Sequence, residues 1–115
     1  MPLLSITTNQ KVVKEEAETL LREGASICCD VLNKPADYMQ TALTQADHMT
    51  MGSREGFFVF GNICSIGLPG DSVERLSSQL TLFLATGLNV PTENVYLVFE
   101  DVPREKWAWN GKTFG

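Results

Sequence analysis

One short motif occurs twice in the chain, and its spacing limits the fold more than any other feature. Leu32-Asn33-Lys34-Pro35-Ala36-Asp37 and Leu88-Asn89-Val90-Pro91-Thr92-Glu93 share Leu, Asn, Pro and an acidic residue in register, 56 positions apart. The same offset carries Leu20 onto Leu76, Ile27 onto Phe83 and Cys28 onto Leu84, so helical phase is kept. Self-similarity at a fixed offset is the mark of a duplicated supersecondary unit. Each half reads strand, long helix, L-N-x-P turn, strand. A βαβ crossover of this kind makes its two strands parallel and its connection right-handed. The expected fold is therefore α+β: two βαβ repeats, with halves about 1–56 and 57–115, forming a four-stranded mixed sheet with both helices on one face. At 115 residues the chain reads as a single domain, 1–115. The second face of such a sheet has nothing in the chain to cover it, which points to self-association.

The elements follow from periodicity and punctuation. The first nine residues alternate, Leu4 and Ile6 on one side, Leu3 and Ser5 on the other, and predict a strand. Val13, Ala17, Leu20, Leu21, Ile27, Cys28, Val31 and Leu32 recur at helical spacing and predict a helix over about Val12 to Leu32, with Glu18 and Arg22 paired on its outer face. Gly24 inside it is expected where the helix approaches the sheet closely. Pro35 ends that helix. Strands are predicted at Tyr38 to Thr44, Phe57 to Ile66 and Val95 to Phe99, the second of these buried on both faces. Asp71 and Glu74 predict a capping box for the second helix, and Gly87 its stop. Asn110-Gly111 between aromatic residues predicts a hairpin.

Composition excludes several classes. The net charge is −5 with no basic cluster, which argues against nucleic acid and anionic membrane surfaces as partners. No apolar run approaches the ~20 residues of a membrane span, and no basic-then-apolar leader opens the sequence, so a cytoplasmic protein is expected. An unconventional export route would leave no mark. Three cysteines, two of them adjacent at Cys28 and Cys29, do not form a disulfide framework; buried reduced thiols are expected at all three, Cys64 included. One His and no C-x-x-C argue against a metal site, and no cofactor is implied.

Met1-Pro2 is a pair from which the initiator Met is commonly removed. Removal would leave Pro2 as a secondary amine fixed at the start of a strand. Read from these residues alone, Pro2 either simply opens the strand, where proline is tolerated, or supplies a rigid lone pair as a general base.

With these parts in order, the chain resembles the tautomerase superfamily, and within it the macrophage migration inhibitory factor and D-dopachrome tautomerase families. The resemblance rests on Met1-Pro2 opening a strand, Lys34-Pro35 with Tyr38 just after, Ser65-Ile66-Gly67 before the second helix, Val95-Tyr96, and Trp109-Asn110 with Thr113-Phe114. It runs the full length without large gaps. It implies a homotrimer whose sheets form an inner barrel. It also implies keto–enol tautomerisation of phenylpyruvate-type α-keto acids, a small-molecule isomerase activity. Carried over, Pro2 would be the base. Lys34 and the backbone N–H of Ile66 would hold the substrate carboxylate or enolate oxygen. Tyr38, Tyr96 and Phe114 would line an aromatic pocket built partly by a neighbouring subunit. The base must be neutral near pH 7; an α-amine starts near ~8, and an apolar pocket and the Lys34 cation would both lower it.

Departures from the family pattern shape the expectation. Val98 stands where an Asn donor is frequent, making the pocket more apolar. Trp107 replaces a smaller residue near the pocket mouth and would narrow it. Phe58 and Gly61 stand where a C-x-x-C is found in the cytokine, so no thiol–disulfide activity is expected. Two other readings accompany the enzyme: a cytokine-like ligand of a cell-surface receptor with vestigial catalysis, and dehalogenation or hydration of unsaturated acids. The last requires an extra pocket group, for which Arg54, Arg104 and Glu100 are the candidates.

Overall fold

The computed structural model describes residues 2–115. Strand β1 (Pro2–Thr8) leads into helix α1 (Lys14–Leu32), then strand β2 (Gln40–Gln45); β3 (Val59–Ser65), α2 (Ser72–Leu88) and β4 (Val95–Asp101) repeat the pattern. The sheet order is β2-β1-β3-β4, with β1 parallel to β2, β3 parallel to β4, and β1 antiparallel to β3. This is the doubled βαβ arrangement that the repeat predicts. A hairpin of β5 (Ala108–Trp109) and β6 (Lys112–Thr113) follows, turning through Asn110 (φ 53°) and Gly111 (φ 84°). Two positive φ values in succession are what a tight hairpin turn requires.

The repeat extends to fine detail. The turns Ala36–Tyr38 and Thr92–Asn94 are single 3-10 turns, again 56 positions apart. Both helices end on a left-handed asparagine, Asn33 at φ 54° and Asn89 at φ 55°. The N–H of Lys34 donates to the Cys29 carbonyl and that of Val90 to the Ala85 carbonyl, at 3.0 and 2.9 Å. Each asparagine thus turns the chain so that the next N–H closes the last helical turn. The second helix therefore stops at Asn89, not at Gly87. Gly87 lies within α2, and an added Cβ there would come within 2.6 Å of Leu20 Cδ1, so it serves the approach of the two helices. Gly24 serves the approach of α1 to the sheet: a Cβ would meet Leu4 Cδ2 at 3.0 Å.

Other expectations are corrected in detail. Tyr38 belongs to the 3-10 turn, and β2 begins only at Gln40. Asp71 precedes α2 but makes no side-chain cap. The ion pair on α1 is Lys14–Glu18 at 3.9 Å, exposed at both side chains, in place of Glu18–Arg22. Such an exposed pair contributes little.

Both helices cover one face of the sheet. Leu4, Ile6 and Ile63 from the strands meet Leu20, Cys28, Leu76, Leu80 and Leu84 there. β3 is consequently buried on one face only. Val59, Gly61, Ile63 and Ser65 point inward, while Phe60, Asn62 and Cys64 point out with Tyr96 and Val98 of β4. Tyr96 is 60% exposed, Val98 42% and Phe60 39%, an apolar strip left open by this chain. Cys64 belongs to that strip and is only half-buried, unlike Cys28 and Cys29. Burial, then the neighbouring Glu100 carboxylate, pushes its thiol up, so at neutral pH it remains a protonated, weak nucleophile. Among the described residues no helix is long and apolar enough to cross a membrane.

Candidate functional site

The start of β1 is held between two strands, and the hydrogen-bond parity fixes how. Pro2 lies opposite Ser65 of β3. The Ser65 carbonyl accepts from Val102 N–H at 2.8 Å, so the backbone groups of Ser65 are turned toward β4. Thr8, of the same parity as Pro2, gives its carbonyl to Ala46 N–H on the β2 side at 2.8 Å. The Pro2–Ser65 rung is therefore of the kind without mutual backbone hydrogen bonds. In such a rung the Cα atoms approach to about 4.5 Å and the side chains are closest. A residue without an N–H costs the sheet nothing toward β3 at this position.

Pro2 and Ser65 are both fully buried in the chain. The backbone edge of Pro2 faces β2, where a cleft of about 310 Å³ opens. Asp37, Tyr38, Met39 and Gln40 wall it on one side, and Trp107, Ala108 and Trp109 on the other. Tyr38 and Trp109 meet edge-to-face, with ring centroids 5.6 Å apart at 75°. The cleft thus sets Pro2, at the start of β1, against aromatic walls.

A cation stands at the same end of the sheet. Lys34 Nζ donates to the Ile66 carbonyl oxygen at 2.9 Å. Ile66 is the residue after Ser65, so this tie lies one position beyond the Pro2 rung. Asn33 in its left-handed conformation aims the chain so that Lys34 can make the reach. Nearby, Gly67 at φ 86° gives its N–H to Asp101 Oδ1 at 3.0 Å, pinning the turn after β3. Phe114 donates its N–H to the Trp107 carbonyl at 3.1 Å, and Arg104 Nε donates to the Phe114 carbonyl at 3.2 Å. The last residues are thereby folded back against the segment that walls the cleft.

Pro2, Tyr38 and Trp107 are thus brought together in one cleft, with Lys34 and Ile66 paired beyond its strand end. Tyr96 and Val98 are not. Tyr96 shares a rung with Phe60 and Thr7, five residues along β1 from Pro2, roughly 17 Å at ~3.3 Å per residue. It lines a separate hollow with Met49, Met51, Phe58 and Phe60. Val98 sits on the rung of Asn62 and Ser5, three residues along β1 from Pro2, on the face the helices leave open. Trp109, Met39 and Gln40 belong to the cleft although the sequence did not single them out as site residues. The Asn-Gly hairpin that places Trp109 was the available signal. Another groove, between the helices, is lined by Glu15, Glu16 and Glu23 around Leu20 and Phe83. Its carboxylates suit no anionic substrate. Among the described residues no cluster of His, Cys, Asp and Glu is arranged to hold a metal ion.

Comparison with known proteins covers the whole chain. The family described as Macrophage migration inhibitory factor (MIF) matches residues 1–115. The macrophage migration inhibitory factor of Xenopus laevis is 28% identical over 116 residues, spanning 99% of this chain and 99% of that protein. The structure of a macrophage migration inhibitory factor homologue from Prochlorococcus marinus matches with a TM-score of 0.90 at 33% identity, covering 98% of this chain and 99% of that one. The Toxoplasma gondii structure matches with a TM-score of 0.92 at 22% identity, over 97% and 99% of the two chains, a likeness of fold.

Proposed function

The chain belongs to the macrophage migration inhibitory factor family, and on that premise we propose that it is a tautomerase acting on phenylpyruvate-type α-keto acids, with Pro2 as general base once Met1 is removed. The observation that carries this reading is the junction of a buried Pro2 with an aromatic cleft and a lysine at the strand end. While Met1 is attached the Pro2 nitrogen is an amide and has no basic lone pair; Met1 itself lies outside the described residues. Its loss would free that nitrogen as a secondary amine at the end of the sheet where Lys34 meets Ile66. The proton acceptor would then face the cation that binds the substrate.

The proposed step is a proton relay on a bound keto acid. The Pro2 amine removes a proton from the methylene carbon between the aromatic ring and the carbonyl. The electron pair moves onto the carbonyl oxygen. Lys34 and the Ile66 N–H stabilise the enolate and its carboxylate. An ammonium carries three donors, so Lys34 keeps the Ile66 carbonyl and still offers two N–H groups to the substrate. A general base works best with its pKa near the working pH, and walls formed by Tyr38, Trp107 and Trp109 would disfavour the protonated amine.

The site is completed by assembly. The open strip of Phe60, Tyr96 and Val98 is too apolar to leave in water. A homotrimer would cover it and carry Tyr96 and Val98 of one copy to the cleft of the next. Val98 and Trp107 favour an unsubstituted aromatic ring over hydroxylated substrates.

The test is enol formation from phenylpyruvate, followed by ultraviolet absorbance. The chain with Pro2 as its first residue should turn over; Pro2→Gly should lose about a hundredfold or more. Equal rates for the two would remove Pro2 from the mechanism.

A further inference from the structure

We propose that the Ser65 hydroxyl is a positioning residue for the Pro2 amine, accepting its N–H so that the lone pair is aimed at the substrate. Ser65 is fully buried, and among the described residues its Oγ is the buried side-chain polar atom left without a hydrogen-bond partner. A buried hydroxyl without a partner costs stability unless one is supplied. The residue directly opposite is Pro2, in a rung of the type that brings side chains closest. With Met1 attached, Pro2 has neither an N–H to give nor a lone pair to offer, and the hydroxyl stays orphaned. Loss of Met1 changes this. The nitrogen becomes tetrahedral, with two free valences straddling the former peptide bond. One takes a hydrogen and the other holds the lone pair. Both side chains are on the helix-covered face, so of the two freed valences the one on that face lies on the side of the Ser65 hydroxyl. The lone pair is left to point at the cleft end.

The assignment also accounts for the alternation of charge in catalysis. After Pro2 takes the substrate proton it carries two N–H groups. Only one must be returned to the enol. An acceptor that holds the other keeps the two from exchanging roles, and the returned proton leaves from the cleft side. This rests on the reading of Pro2 as the base.

The test compares Ser65→Ala and Ser65→Cys with the parent, in the full chain prepared with Pro2 first and in one where an extra residue blocks the Pro2 nitrogen. Cys keeps the volume but replaces the oxygen with a weak acceptor, which covers the case of an Ala variant that folds poorly. The Pro2 amine is titrated by nitrogen NMR of proline-labelled protein. An accepting hydroxyl favours the ammonium over the neutral amine, so both variants should titrate at lower pH than the parent. In the free-amine chain kcat/KM should fall about tenfold with KM little changed, short of the hundredfold cost of a full ångström of misplacement. Melting temperature should fall with Ser65→Ala in the free-amine chain and hold or rise in the blocked one. An amine titration unchanged in both variants, or moved upward, overturns the proposal. Should no preparation turn over phenylpyruvate, the tautomerase reading falls while the titration still decides the role of Ser65.

Discussion

Lys34 Nζ and the Ile66 carbonyl oxygen are joined by a hydrogen bond of 2.9 Å. The bond links the turn after the first helix to the turn after the third strand, one from each half of the repeat. It holds a half-buried ammonium in place before any substrate arrives. Replacing Lys34 by Met keeps the stem and removes the charge. One charge-assisted hydrogen bond is worth about 1.5–3 kcal/mol, so KM for phenylpyruvate should rise roughly tenfold to a hundredfold. The melting temperature should drop by only a few degrees. Steady-state kinetics and a thermal melt on the same preparation check both halves.

Tyr38 and Trp109 meet edge-to-face at the cleft wall, and both remain about half exposed, at 50% and 55%. Their contact is worth about 0.5–1.5 kcal/mol beyond area burial. Trp109→Ala should therefore cost the fold little but loosen the wall. Its effect should fall on aromatic substrates: kcat/KM for phenylpyruvate should drop at least fivefold relative to that for a small aliphatic keto acid. A uniform loss on both substrates would show that Trp109 acts on the fold instead.

Asn33 and Asn89 hold left-handed backbone at equivalent places. A β-branched residue cannot take that conformation without a cost of about 1–2 kcal/mol. Asn89→Val should destabilise by that amount, and Asn89→Gly by little or nothing. Asn33→Val should lower activity as well as stability, because Asn33 aims Lys34, whereas Asn89→Val should leave the rate per folded molecule intact. Urea titrations with parallel rate measurements separate the two.

Cys28 is fully buried in the core, and burial first, then the adjacent Cys29, pushes its thiol from 9.0 up to about 12. The folded chain thus keeps a proton that the unfolded chain releases. The stability this thiol contributes is complete below pH 9 and is lost as pH climbs toward about 12. The slope for one thiol is at most ~1.4 kcal/mol per pH unit. Cys28→Ala should flatten the alkaline limb of the melting-temperature profile while lowering its neutral value. At neutral pH the native Cys28 should resist alkylation until the protein is unfolded.

The duplicated plan was legible because helix phase and the L-N-x-P turn survive in both halves. Finer points were not. Tyr38 looked like the first residue of a strand, since an aromatic next to Met39 alternates as a strand does. The 3-10 turn belongs to the repeat itself, since Thr92-Glu93-Asn94 forms the same turn in the second copy. Phe60 made β3 look buried throughout, because an apolar side chain left open on the sheet's uncovered face cannot be told from core by sequence. Gly87 looked like a helix stop because glycine commonly is one; here it makes room for Leu20. The grouping of Pro2 with Tyr38 followed from the family resemblance. The separation of Tyr96 from Pro2 needed the register, which no spacing along the chain reveals.

The duplication also makes the ends of the sheet near-copies, and only one of them is chemically open. Fifty-six positions after Pro2 stands Phe58, 3% exposed, and the same step from Lys34 lands on Val90, 5% exposed. Where one half presents Pro2 and the Lys34 cation, the other is sealed with an aromatic ring and an aliphatic plug. The pseudo-symmetry is thus broken chemically while kept architecturally, leaving one open cleft in a chain whose duplicated plan offered room for two.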